Sequence, residues 1–282
     1  MKRRGAVRTI AFVLLLLCHS IAPAGERKGL RILISNDDGI EAPGIAALFD
    51  ALSRLGTVTV AAPSQGRSAT SHGIVTDGPI LVRESERKGA RWYSIDALPA
   101  TCVRLALESL LDTPPDIVVS GVNRGENLGV VTFYSATVAC AREAAFKGIP
   151  AVAVSLESGP DMDYAAAAEA AALVIEKSPL ESWPKGLYLN INAPARKRGD
   201  FKGFRVVPQD LRASIELFEG RVNPAGIRYF WPYYVPLESG AIMTDIRAVR
   251  DGYVAITPFR IDQTDRAALE GMKPLEDLSW KR

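Results

Sequence analysis

Along most of the chain, short apolar runs end in polar turns and give way to segments with helical spacing. LRILIS (30–35) stops at NDDG and is followed by GIAALFDALSRL (44–55), whose apolar residues recur at helical intervals. The alternation returns with TVTVAA (57–62), DIVVS (116–120) and AVAVS (151–155) as strands. Helices are predicted near 102–111, 137–146 and 164–177. Runs that are apolar on both faces belong to parallel strands covered by helices on two sides and joined by right-handed crossovers. The pattern predicts an α/β fold built on a doubly wound, mostly parallel sheet.

After YLNIN (188–192) the chain turns aromatic, proline-rich and alternating, with FRVVP (204–208), IRYFWP (227–232) and YVAITPF (253–259) separated by polar stretches. These segments predict antiparallel hairpins projecting from the main body. Hairpins rich in Tyr, Phe and Trp with no helical cover expose apolar surface, which association with a second subunit removes. The opposite end is of another kind. Lys2, Arg3, Arg4 and Arg8 precede an apolar run from Ile10 to Leu17, which His19 and Ser20 cut short before Ala22-Pro23-Ala24. The run falls short of the roughly 20 residues that span a bilayer, so residues 1–24 read as a secretory signal peptide cleaved after Ala24. The expected division is a leader over 1–24, an α/β core over 25–200, and 201–282 holding the hairpin region and the closing strand of the core. The product is expected to be exported, periplasmic or secreted, without a stable membrane anchor.

Composition narrows the function. The 282 residues are 48% hydrophobic and 23% charged, as in ordinary globular proteins. The leader holds four of the 34 basic residues and none of the 32 acidic ones, so the mature chain is near neutral. That balance offers no electrostatic footprint for duplex nucleic acid, and a small molecule is the expected partner. Cys102 and Cys140 lie in apolar helical stretches and read as buried free thiols. His72 is the one histidine outside the leader, which rules out a His-rich zinc site. No G-x-S-x-G elbow sits on a strand-to-helix turn, and the first strand is not followed by G-x-G-x-x-G. The D-x-D-x-[TV] pattern of haloacid-dehalogenase phosphatases is absent there too, which disfavours an aspartyl-phosphate route.

In an open parallel sheet, ligands sit beyond the carboxyl ends of the strands. Three loops there stand out: Asn36-Asp37-Asp38-Gly39, PSQGRSATS (63–71) and GVNRGENLG (121–129). An Asp-Gly turn needs no ligand, but two adjacent carboxylates at a strand end repel unless a cation or hydrogen bonds compensate. With only oxygen donors nearby, the preferred ion is hard, magnesium or manganese, with calcium also fitting. Tyr134-Ser135-Ala136-Thr137 opens a helix just after the third loop. Its hydroxyls and free backbone N–H groups suit an anion, although Ser and Thr at helix starts are ordinarily caps. A cation and an anion cradle side by side are two of the parts that phosphate ester hydrolysis needs.

The stretches SNDDGIEAPGI, AAPSQGRSATS, PDIVVSGVNRGENLG and YSATVACAREAAFKGIPAVAVS resemble, in order, the signature segments of the SurE 5′-nucleotidase family. The similarity is strongest over 30–155 and resumes at TDIRAVRDGYVAITPF, while 212–240 matches poorly. The resemblance implies a Rossmann-like three-layer core, a C-terminal hairpin arm exchanged between subunits, and a homodimer or homotetramer. It implies one divalent cation on Asp37, Asp38, Ser68 and Asn123, and phosphate contacts from Asn127, Ser135 and Thr137. The implied activity is metal-dependent hydrolysis of nucleoside 5′-monophosphates; in the mechanism expected here, Asp37 or Asp38 orients or deprotonates the attacking water. Three departures are visible: Ala136 where relatives have the glycine of YSGTV, ALPATC (97–102) in place of GTPADC, and the leader. The alternative from another class is a non-catalytic exported protein that binds phosphate or nucleotide.

Overall fold

The computed structural model of the chain describes residues 29–212, 215–235 and 240–278, so the expected leader lies outside the described residues. The chain opens with β1 (Leu30–Ser35), α1 (Pro43–Leu52) and β2 (Gly56–Pro63), then a hairpin of β3 (Val82–Arg87) and β4 (Ala90–Ile95). Next come α2 (Pro99–Leu105), β5 (Ile117–Arg124), α3 (Ala136–Phe146), β6 (Ala151–Leu156), α4 (Tyr164–Lys177) and β7 (Leu187–Ala193). The last part holds β8 (Phe204–Val206), β9 (Ile215–Val222), β10 (Arg228–Val235), α5 (Asp245–Arg250), β11 (Val254–Arg260) and α6 (Arg266–Met272).

One nine-stranded sheet runs in the order β3-β4-β2-β1-β5-β6-β7-β11-β8, and its central pairs from β4 to β7 are parallel. Successive residues of the central strands feed opposite cores. Ile32, Ile34, Val119 and Val154 pack with α1 and α4 on one side, whereas Leu33, Val118 and Ala153 pack with α2 and α3 on the other. This two-sided burial is why the strands show no polar alternation. The layers are helix, sheet, helix, the doubly wound α/β architecture that the pattern predicts. Cys102 and Cys140 are both free and buried, as expected.

One expectation is corrected, and one hairpin was not expected at all. Of the three C-terminal segments read as projecting hairpins, only 227–232 lies in one, where β10 pairs antiparallel with β9. β11 enters the main sheet antiparallel to β7, and β8 lines up parallel beside it. Val254, Ala255 and Ile256 are buried on both faces of β11, so that segment could not have stayed in an uncovered hairpin. The pattern also gives no sign of the β3–β4 hairpin. β3 is exposed along nearly its whole length and carries no apolar run. Lys88 and Gly89 between the strands take φ of 51° and 74°, the paired left-handed conformations of a type I′ turn. Helix starts also shift: α1 and α2 begin at Pro43 and Pro99, first-turn prolines whose missing N–H costs nothing there.

Candidate functional site

Strand order reverses at β1, with β2 on one side and β5 on the other, so the crevice at their carboxyl ends is the topological switch point. Asp37 and Asp38 emerge there from β1. At the end of β5, register with β6 slips between Ser120 and Asn123. Gly121 holds this bulge at φ 132°, and a Cβ there would lie 2.2 Å from the Val154 carbonyl oxygen, so no other residue fits. Such a bulge re-aims the residues that follow it. The Arg124 N–H donates to Asp38 Oδ2 at 2.9 Å. Asn123 Nδ2 donates to the Gly125 carbonyl at 2.8 Å. Its Oδ1, the atom a cation would take, accepts no protein donor among the described residues.

The 63–71 loop is tied down on both flanks. The Arg67 N–H donates to the Asp37 carbonyl at 2.7 Å, and the Ser71 N–H to the Tyr134 carbonyl at 3.1 Å. Ser71 Oγ donates to the Phe133 carbonyl at 2.8 Å. His72 Nε2 lies 2.9 Å from Glu143 Oε2 on α3. Between these ties Ala69 and Ser71 adopt φ of 58° and 53°, left-handed conformations that L side chains adopt only under constraint. Ser68 stands exposed between the Arg67 anchor and Ala69.

The start of α3 closes the other side. Ser135 caps the helix, its Oγ accepting the Val138 N–H at 3.1 Å, which leaves the hydroxyl proton free to donate. Ala136 follows with its methyl fully buried. Thr137 Oγ1 donates to Asp37 Oδ1 at 2.5 Å, joining residues a hundred positions apart. Asn127 is buried and its polar groups are turned inward. Its Nδ2 donates to Ser155 Oγ at 2.8 Å, its N–H to Asn192 Oδ1 at 2.8 Å, and its carbonyl accepts from Asn190 Nδ2 at 2.8 Å.

Burial pushes the Asp37 carboxyl up to about 6, against the Thr137 hydrogen bond that lowers it and with the Asp38 charge raising it further. Burial also raises Asp38, opposed by the Arg124 N–H. A cation between the two would reverse both effects. Among the described residues no three His, Cys, Asp or Glu side chains form a group that could hold a metal ion. Any ion here takes two carboxylates plus neutral oxygens, which fits magnesium or manganese and does not fit zinc. The Cys140 thiol beneath the site is pushed up to about 12 by burial and by the Asp37 charge, so it stays protonated and inert.

The structure thus bonds Asp37 to Thr137 and Asp38 to the backbone N–H that follows Asn123, leaves Ser68 exposed one residue after the Arg67 tie to Asp37, sets Ser135 at the cap of the helix that Thr137 opens, and keeps Asn127 within the protein. Two further residues belong to this surface and were missed. Arg124 and Tyr164 line a cleft beside Asp38, and Tyr164 lies beyond β6, whose following loop has no motif to draw the eye.

The fold and these loops define an α/β protein whose switch-point site sets an acidic pair against the first turn of a helix. The family model described as Survival protein SurE matches residues 32–216. A relative from Desulforamulus reducens named 5′-nucleotidase SurE is 43% identical, over 84% of this chain and 94% of its own. One of the same name from Carboxydothermus hydrogenoformans is 41% identical, over 86% and 95%. The crystal structure of SurE from Aquifex aeolicus superposes with a TM-score of 0.77 at 34% identity, covering 88% of this chain and all of that one. The chain belongs to the SurE family.

Proposed function

We propose that this enzyme is a metal-dependent phosphomonoesterase that hydrolyses nucleoside 5′-monophosphates. The observation that carries the reading is the buried Asp37 beside a half-buried Asp38, with Asp37 bonded through Thr137 to the start of a helix able to hold an anion. Asp37, Asp38, Ser68 and Asn123 would hold one divalent cation, magnesium or manganese. When bound, it supplies Lewis-acid polarisation of the phosphoryl group and a water of lowered pKa. Ser135 would donate its hydroxyl proton to a phosphoryl oxygen, and the Ala136 and Thr137 N–H groups that open α3 would serve the same group, the Val138 N–H being held by Ser135 Oγ. Thr137 fixes the rotamer of Asp37, so that Asp37 or Asp38 can orient water for in-line attack. Asn127 shapes the loop from within: its Nδ2 gives one proton to Ser155, and the second is the one it would offer to phosphate.

Two further parts of the reading rest on sequence and surface. The leader supports export before the enzyme acts. The β9–β10 hairpin exposes Phe218, Phe230 and Trp231 at 62%, 53% and 56%, which supports a homodimer or homotetramer built on that arm.

The test is phosphate release from nucleoside monophosphates by protein lacking residues 1–24, with magnesium, manganese or chelator, beside Asp38→Asn. Turnover that requires the cation and disappears in the variant is expected. A folded protein that binds nucleotide and releases no phosphate with any cation would instead be the non-catalytic binder.

A further inference from the structure

The turn that delivers Ser135 to the site is held from behind by the base of the β9–β10 arm. The chain leading into the arm and the chain leaving it meet there, where the Asp245 N–H donates to the Pro208 carbonyl at 3.0 Å. Asp245 is fully buried, and its carboxylate accepts three backbone N–H groups. Oδ2 takes the Gly129 N–H at 2.8 Å, and Oδ1 takes those of Asp210 and Ile246 at 2.9 and 2.8 Å. Gln209 Nε2 donates to the Gly129 carbonyl and to Thr132 Oγ1, both at 2.8 Å. We propose that Asp245 and Gln209 are positioning residues for the phosphoryl group, acting through the 129–133 turn on Ser135 and the first turn of α3. The proposal rests on the phosphomonoesterase reading and adds two residues from beyond β8 to the parts that set its rate.

The choice of a carboxylate points to geometry rather than stability. A buried charge is costly unless it is fully bonded, and apolar side chains of similar volume commonly hold a fold as well or better. What Asp245 supplies is a fixed spacing, with one oxygen on Gly129 and the other on Asp210. Gly129 keeps that contact close: its φ is 54°, and a Cβ there would lie 2.8 Å from the Asp210 carbonyl oxygen.

The turn is short and stiff enough to pass the constraint on. The Val131 N–H donates to the Leu128 carbonyl at 3.1 Å and the Tyr134 N–H to the Val131 carbonyl at 2.9 Å, and Ser135 caps α3 directly afterwards. Thr132 Oγ1 adds a bond to the Gly129 carbonyl at 2.9 Å. A displaced Gly129 therefore displaces Ser135. The cation side has anchors of its own. Asp38 accepts the Arg124 N–H, and Asn127, between Asn123 and Gly129, is pinned to Asn190 and Asn192 of β7. The arm base thus acts on the anion half of the site and leaves the cation half alone.

The test measures kcat on AMP, inhibition by inorganic phosphate and manganese affinity in wild type, Asp245→Asn, Gln209→Ala and Thr244→Val. An asparagine has one oxygen in place of two, so it cannot accept from Gly129 and from the Asp210–Ile246 pair together. Gln209→Ala removes two bonds to the turn from a half-buried position, and it decides the matter if Asp245→Asn does not fold. Thr244→Val is the control, because it cuts the 3.0 Å bond from Thr244 to Asp210 at the same base without removing a bond to the turn. Misplacing a reacting group by about 1 Å costs about a hundredfold, so Asp245→Asn and Gln209→Ala should each lower kcat about tenfold or more. Both should raise the phosphate inhibition constant about fivefold or more with manganese affinity within about twofold, and Thr244→Val should stay within about twofold throughout. A purely structural role would reduce the folded fraction and Tm while the molecules still folded bound phosphate as before. An unchanged inhibition constant, or Thr244→Val matching the other two, overturns the proposal. If wild type turns over no ester, the phosphatase reading fails, and calorimetry of inorganic phosphate with manganese present decides instead. Binding weakened in Gln209→Ala then upholds the positioning role, and binding unchanged or absent overturns it.

Discussion

Replacing Asp37 by asparagine should make the metal-free protein more stable while removing its activity. Asp37 is 4% exposed, and burial pushes its carboxyl from 3.8 to about 6. A carboxyl whose folded pKa is raised binds its proton more tightly in the folded state. Its favourable contribution is therefore present below pH 3.8 and is lost as pH rises to about 6, above which the full cost of the buried charge stands. A shift of about two units corresponds to about 3 kcal/mol. The asparagine would have no proton to lose, and its Oδ1 can still accept from Thr137. Other raised carboxyls, Asp245 among them, are common to both proteins and cancel in the difference.

In chelator at pH 8, Asp37→Asn should thus exceed wild type by up to about 3 kcal/mol, or about 6–12 °C in Tm for a domain of this size. The gap should close progressively between pH 6 and pH 4. A cation at a hundred times its Kd returns about 2.7 kcal/mol, so manganese should nearly erase the gap by stabilising wild type and not the variant. The assay is thermal unfolding of both proteins across this range, with and without the ion. An Asp37→Asn protein less stable than wild type in chelator at pH 8, or a gap that ignores pH, would refute the reasoning, because Asp37 would then carry no burial cost.

Two other outcomes follow from the ties around the site. His72→Ala frees the end of the 63–71 loop and leaves Glu143 buried without its partner. It should lower kcat/KM for AMP about tenfold and cost about 1–3 kcal/mol in denaturant unfolding; Glu143→Gln, which can still accept from the ring, should lose much less. Trp231→Glu puts a charge on the exposed hairpin face, where Trp231 meets Tyr229 edge-on at 6.4 Å. It should shift the species seen by light scattering towards monomer with the far-ultraviolet spectrum unchanged, and an unaltered mass would remove the hairpin from any interface.

The central layers were legible because each strand announces itself locally. Within LRILIS, DIVVS and AVAVS, residues 32–34, 117–119 and 151–154 are continuously apolar, and the structure buries them on both faces. β11 was legible as a strand, but its local alternation suggested a hairpin even though a closing strand of the core was expected in this region, because its partner β7 lies some sixty residues earlier and no local signal records that pairing. β3 failed in the opposite way. Its side chains face solvent, so the hydrophobic pattern is silent, and only the Lys88-Gly89 turn could have revealed it.

The same division runs through the candidate site. Asp37 and Asp38 stand out because adjacent acids at a strand end are costly without a reason to be there, and the cost is visible in one short segment. Thr137 reads locally as a helix-start residue, and its bond to Asp37 exists only once β1 and α3 meet. Asn127 shows the converse. Its glycine-rich loop looks exposed and available in sequence, yet the folded chain commits its amide to Ser155 and its carbonyl to Asn190, both from strands further along. Tyr164 had no local signature either, since a tyrosine opening an alanine-rich helix is ordinary until the first turn of α1 is set beside it. Residues that answer to their neighbours in sequence can be found before the fold is known. Those that answer to neighbours in space have to wait for it.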